Sequence, residues 1–194
     1  MPSSVRLLLT ICGSINPITL KQLDEAEATG VPRIRLTAHQ KLHPDWLESR
    51  EAAAAIGSWT TLAKKHTSTI IECDGLGYPE ELEATRKALG MDLEQMRCRI
   101  AGTMGGILKQ MLDLGLDATL LVTGGDTLMA FMQQIGQREL VPICELTSGV
   151  VLSQITYRGN VYNLLSKSGG FGSVQLLEEL ENMLTGFHKE EIAC

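Results

Sequence analysis

The chain has 194 residues, 44% hydrophobic and 21% charged, with 17 Lys and Arg against 23 Asp and Glu, a formal net charge of −6. That size and balance describe a single globular domain able to bury its own core. They exclude a broad basic surface for nucleic acid, and no apolar run approaches the roughly 20 residues that span a bilayer.

The opening apolar run, residues 5–12, reads as a buried strand. Ile11 is too bulky to precede a lipoprotein cleavage at Cys12, and no basic segment leads into the run. Pro17 at a helix start, then Thr19 to Ala28 closed by Gly30, predicts a first helix. Residues 33–37 alternate and predict a second strand nearer an edge. The Ala-rich stretch 45–66 after Pro44 predicts one helix, and residues 67–73 a third strand. Pro79-Glu80-Glu81 opens a further helix, with acids suited to the positive end of the dipole. Residues 92–114 predict a long helix. Residues 118–123 predict a fourth strand, followed by a helix through Gln134. Residues 140–146, 150–156 and 161–166 predict three more strands, and residues 174–186 a final helix.

Early alternation of strand and helix implies a parallel sheet with helices on both faces. Consecutive strands near the end imply an antiparallel extension. The expected fold class is therefore α/β, a three-layer α/β/α domain over residues 1–194. The five cysteines, Cys12, Cys73, Cys98, Cys144 and Cys194, are scattered, odd in number and never in a CxxC pair. That pattern argues against a disulfide framework or a zinc site and favours the cytoplasm.

Three segments carry chemistry: Cys12-Gly13-Ser14-Ile15-Asn16-Pro17, Thr123-Gly124-Gly125-Asp126-Thr127, and Lys167-Ser168-Gly169-Gly170-Phe171-Gly172. Each follows a predicted strand and precedes a predicted helix. Glycine lets backbone N–H groups approach an anion closely, and a helix N-terminus adds partial positive charge. In an open parallel sheet such loops gather at the carboxyl ends of the strands, where ligands bind. One such loop alone is most simply a tight turn. Three together describe a phosphate-bearing ligand. Neither the GxxxxGK[ST] phosphate loop nor a GxGxxG after the first strand is present, so a nucleotide here uses a different cradle.

These three motifs, in this order, resemble the C-terminal, nucleotide-binding domain of the four-carbon acid sugar kinases. The resemblance runs from about residue 7 to 180, and Thr19 and Gln22 fit the pattern as well. It implies ATP as phosphoryl donor with Mg²⁺ and a small sugar acid, tetronate-like, as acceptor. It places nucleotide contacts at Ser14, Gly124, Gly125, Asp126, Thr127, Gly169 and Gly170. Members of that family are about double this length, and an N-terminal domain supplies much of their sugar-acid site. The resemblance therefore implies that these residues alone are inactive as a kinase. The alternative is a non-catalytic nucleotide-binding module acting with a separate chain.

Ser14 can donate its hydroxyl to a phosphate or nucleoside oxygen, and the four glycines can present N–H donors. Thr127 can cap the following helix and touch a phosphate. Asp126 is the candidate catalytic residue, as a Mg²⁺ ligand or as acceptor of the attacking hydroxyl's proton; its plainer role is N-cap of that helix. Lys167 can reach a phosphate, or is simply a surface lysine at a strand end. His39 and His43 lack the glutamate of HExxH, so no protein metal site is expected there. Gly102, Gly105 and Gly106 share a helix face and suggest close packing. The expected partners are ATP or ADP and the sugar acid, with neither nucleic acid nor membrane, and a homo-oligomer is compatible with the sequence.

Overall fold

The computed structural model describes residues 7–73 and 79–186. Seven strands form one sheet: β1 (Leu8–Cys12), β2 (Arg33–Arg35), β3 (Ser68–Glu72), β4 (Thr119–Thr123), β5 (Val141–Thr147), β6 (Val150–Tyr157) and β7 (Asn160–Lys167), in the order β2-β3-β1-β4-β7-β6-β5. The first five strands in that order run parallel, and β6 and β5 extend the sheet antiparallel. The expected mostly parallel α/β architecture is observed. Its least obvious step is β7, which returns from the antiparallel hairpins to lie parallel beside β4.

Strands β1, β3 and β4 are buried at every position, as befits parallel strands covered on both faces. Alternation then divides their side chains between two cores. Leu9, Ile11, Leu120, Val122 and Leu164 enter one, and Leu8, Cys12, Leu121 and Leu165 the other. The first core packs beneath α3 (Arg50–Ala63), α5 (Leu93–Asp113) and α6 (Gly125–Gln134). The second packs beneath α1 (Pro17–Ala28) and α7 (Leu176–Gly186).

Local signals set the helix ends. Asn16 caps α1 through Ile18 N–H, with Pro17 in the first turn; α4 (Pro79–Ala88) opens with Glu80 and Glu81 in its first turn, and Asp92 begins α5 with a capping box to Gln95. The stretch 45–66 is not one helix. A single turn of tight helix at Trp46–Glu48 precedes Ser49, whose side chain caps α3, so the cap breaks the Ala-rich run. A short helix α2 (Ala38–Leu42), with its own Thr37/Gln40 capping box, escaped the sequence reading because five residues give too little periodicity.

The glycine face of α5 divides by position. A Cβ on Gly105 would lie 2.7 Å from the backbone nitrogen of Phe131, and one on Gly106 would lie 2.5 Å from Leu47 Cδ1, whereas one on Gly102 would meet nothing within 4 Å. Gly105 is therefore what lets α5 lie against α6. Among the described cysteines, Cys12, Cys73 and Cys98 are free thiols. Cys194 lies outside the described residues. No helix among the described residues is long and apolar enough to cross a membrane.

Candidate functional site

Strand register aligns the chemistry. Cys12 pairs with Glu72 on one side and Thr123 on the other, and Thr123 pairs with Lys167. The last residues of β3, β1, β4 and β7 thus form one row at the carboxyl edge of the sheet. The three glycine-bearing loops leave from β1, β4 and β7, which are immediate neighbours.

The loops touch. Gly13 N–H donates to Thr123 O at 2.9 Å. A Cβ on Gly124 would lie 3.2 Å from the Gly13 carbonyl carbon, and one on Gly169 would lie 3.0 Å from Ser14 Oγ and 3.1 Å from Asn16 Cβ. Gly124 also has φ +98°, a conformation open to glycine and costly for other residues. Gly13 is required by a different contact, because a Cβ there would meet Thr127 Oγ1 at 1.9 Å. By contrast, a Cβ on Gly125 has open space and one on Gly170 meets only Asn16 Nδ2 at 4.0 Å. The crowded glycines knit the loops together, and the open ones face free volume.

The backbone donors fit an anion. Gly124 is the N-cap of α6 and contributes no side chain, so the first-turn N–H groups of this helix lack an intrahelical partner. The N–H groups of Gly169 and Gly170 also have no hydrogen-bond partner among the described residues. Ser14 Oγ accepts from Asn16 N–H at 3.2 Å, which leaves its hydroxyl proton available. The sequence-derived set Ser14, Gly124, Gly125, Asp126, Thr127, Gly169 and Gly170 is therefore brought to one end of three adjacent strands.

Three expected roles are corrected. Asp126 is not the N-cap of α6: Gly124 holds that position and Asp126 lies in the first turn. Its carboxylate Oδ2 accepts from Arg97 Nη2 of α5 at 3.0 Å, with both side chains 64% exposed. Thr127 caps nothing through its side chain; it is buried, and its hydroxyl faces Gly13. Lys167 is not a surface lysine. It is 4% exposed, and its ammonium donates to Thr19 Oγ1 at 3.2 Å, Ser168 O at 3.1 Å and Gly169 O at 3.5 Å. Burial lowers its pKa below the ordinary lysine value.

Helix α1 holds the third loop from below. Thr19 Oγ1 donates to Gly169 O at 2.9 Å. Gln22 Nε2 donates to Phe171 O at 3.1 Å and to Ser173 O at 2.7 Å. Cys12 lies in the same layer, its Sγ accepting from Thr123 Oγ1 at 3.1 Å, and burial pushes its thiol pKa up. A buried neutral thiol is a packing group. The sequence marked Thr19 and Gln22 but gave no sign that Lys167 is buried, since a charged residue after a hydrophobic strand normally exits to solvent. Arg97 was missed because its partner is 29 residues away. His39 and His43 stack at 4.7 Å between ring centroids, in and just after α2.

With this geometry in place, comparison with known proteins decides the family. The profile of the nucleotide-binding C-terminal domain matches residues 9–177. The chain belongs to that family. A Bordetella bronchiseptica protein of the DUF1537 family, a domain-swapped dimer with bound citrate, superposes with a TM-score of 0.66 at 17% identity. That match covers 92% of this chain and 41% of the other. A Salmonella typhimurium LT2 protein, provisionally named a tRNA synthase, gives 0.70 at 18% identity over 92% and 41%. A Haemophilus influenzae DUF1537 protein gives 0.65 at 19% identity over 95% and 42%. The chain thus spans about two fifths of the solved chains it matches, and at these identities the likeness shows the fold. No curated protein is similar enough in sequence to count as a relative. The resemblance to the C-terminal domain of four-carbon acid sugar kinases holds at the level of family and fold.

Proposed function

We propose that this nucleotide-binding C-terminal domain is the ATP-binding part of a kinase that phosphorylates a small four-carbon sugar acid. The observation that carries the reading is the convergence of three loops on adjacent parallel strands. There, unpartnered N–H groups at Gly169, Gly170 and the first turn of α6 meet beside open volume at Gly125 and Gly170. Such donors suit the β- and γ-phosphates.

Ser14 adds a hydroxyl donor, and Asp126 supplies the one carboxylate in the loop after β4. The donor set fits Mg²⁺ carried in with the nucleotide, since phosphate-linked Mg²⁺ commonly takes one carboxylate; when bound, it neutralises charge on the phosphate oxygens. Asp126 alternatively takes the proton of the attacking hydroxyl. Arg97 engages only Oδ2, which leaves Oδ1 free for either task. Both partners are exposed, so solvent screens this surface ion pair and it contributes little. The acceptor site is assigned to the part of the longer chains that this domain does not cover. The citrate held by the Bordetella protein supports a small carboxylated acceptor in such chains.

The test is a titration with ATP followed by turnover of a tetronate, with and without a supplied N-terminal domain. The domain alone should bind ATP and turn over negligibly, because positioning of two substrates accounts for roughly 7–11 kcal/mol of barrier lowering. In the complete enzyme, Asp126→Asn should cut kcat about 10²- to 10⁴-fold while ATP affinity changes little. Tight ATP binding with no turnover even in the complete enzyme would favour a non-catalytic module.

A further inference from the structure

We infer that Lys167 is a positioning residue that aims the anion-binding face of the third loop from beneath, without touching the ligand. The constraint is stereochemical. In a trans peptide the C=O and the following N–H point in opposite directions, and the described residues contain no cis bond. The Lys167 ammonium draws the carbonyls of Ser168 and Gly169 inward, and Thr19 Oγ1 adds a second donor on Gly169 O at 2.9 Å. The N–H groups of Gly169 and Gly170 must then face away from the buried layer. These are the two donors of the loop that have no partner among the described residues.

Charge reinforces the geometry. Among the described residues no carboxylate pairs with Lys167. Carbonyl and hydroxyl oxygens solvate its proton-bearing nitrogen and leave its positive charge uncancelled behind the loop. A buried cation facing only dipoles raises the potential on the far side of those dipoles, where an anion would sit. A lysine that contacted phosphate directly would need its nitrogen in the open volume; here it is 4% exposed and spent on three oxygens. The ligand class is an anion carrying several oxygens, a di- or triphosphate in the reading above, and the assignment of phosphate rests on that reading.

Lys167→Met keeps the length and removes the charge and donors. Two measurements on the 194-residue chain decide the matter: the crystal structure of the variant, and its ATP affinity by calorimetry beside its Tm. The variant should fold with the 168 and 169 carbonyls released. Its ATP binding should be weakened about 10- to 100-fold, the loss expected for one or two hydrogen bonds to a charged ligand. Carbonyls unmoved in the variant overturn the inference, and so does ATP affinity within two-fold of wild type despite rotated peptides. A wild-type chain that binds no ATP would instead overturn the proposed function, and the carbonyl orientation alone would then decide the role of Lys167. Should Lys167→Met fail to fold, Thr19→Val removes the other donor on Gly169 O and is read by the same two measurements.

Discussion

Among the charges buried at the carboxyl edge of the sheet, Arg33 and Lys167 are held in different ways. At the β2–β3 end, the Arg33 side chain is fully buried against Glu72, itself fully buried. Arg33 Nε donates to Glu72 Oε1 at 2.9 Å. Arg35 reaches the same oxygen at 3.2 Å and also engages Glu27, while Arg33 Nη1 meets Asp24 at 2.6 Å. Burial opposes the Arg33 charge, but Glu72 and Asp24 outweigh it and hold its pKa above the ordinary arginine value. At the β7 end, Lys167 is buried with dipoles alone, and its pKa is lowered. The first arrangement cancels its own field and ties an edge strand to its neighbour. The second keeps a net positive charge beneath the glycine loops. In the proposed function, the uncancelled charge of Lys167 lies behind the loop that receives the phosphates.

Breaking the first arrangement should have the largest effect on stability. Glu72→Gln leaves a fully buried guanidinium with only its exposed-side partners, and removing one member of a buried pair costs about 3–5 kcal/mol. Denaturant unfolding should show that loss at neutral pH, with unchanged ATP affinity. A loss below about 1 kcal/mol would mean that Glu72 is not the partner on which Arg33 depends.

The junction between the first two loops should be next. Gly13→Ala forces a methyl onto the Thr127 hydroxyl and should cost about 1–3 kcal/mol, the usual range for overpacking. Adding Thr127→Ala removes the atom in the way and should return part of that cost. Equal instability in single and double variants would show that backbone, rather than Thr127, sets the limit.

The smallest effect is a pH trend at the second arrangement. The lysine's folded pKa lies below 10.5. Between that lowered value and 10.5 the unfolded chain binds more protons than the folded one, so this group makes stability rise with pH. Cys12 has a raised folded pKa and works in the opposite sense above 9.0. The comparison must therefore be wild type minus Lys167→Met, with Cys12 present in both. Thermal melts should show this difference moving in favour of wild type as pH climbs from neutral toward 10.5. A difference independent of pH would mean that Lys167 titrates as an exposed lysine does.

These contrasts also mark where the sequence could be read. Periodicity and turn residues locate every strand of the sheet, because β1, β3 and β4 are short apolar runs between glycines, prolines and caps. The loops were legible as a set because three strand–glycine–helix junctions repeat. What escaped depends on distance in the chain. Nothing local distinguishes Lys167 as a buried clamp, since its partner Thr19 is 148 residues away. Asp126 reads as a cap until Gly124, with its positive φ, takes that place. The parallel return of β7 beside β4 brings the third loop to the other two, and no spacing rule announces it.

The central claim is that one anion-binding centre forms where the loops after β1, β4 and β7 meet. Amide NMR of the 194-residue chain titrated with ATP and Mg²⁺ tests it most directly. The N–H resonances of Ser14, Gly125, Asp126, Gly169 and Gly170 should shift together along one binding curve. The same titration of Gly125→Val, whose side chain would fill the open volume at that position, should leave them still while the protein remains folded. Shifts confined to residues elsewhere, such as the groove of about 530 Å³ lined by Pro44, Leu47, Arg99 and Gln134, or shifts undiminished by Gly125→Val, would contradict it.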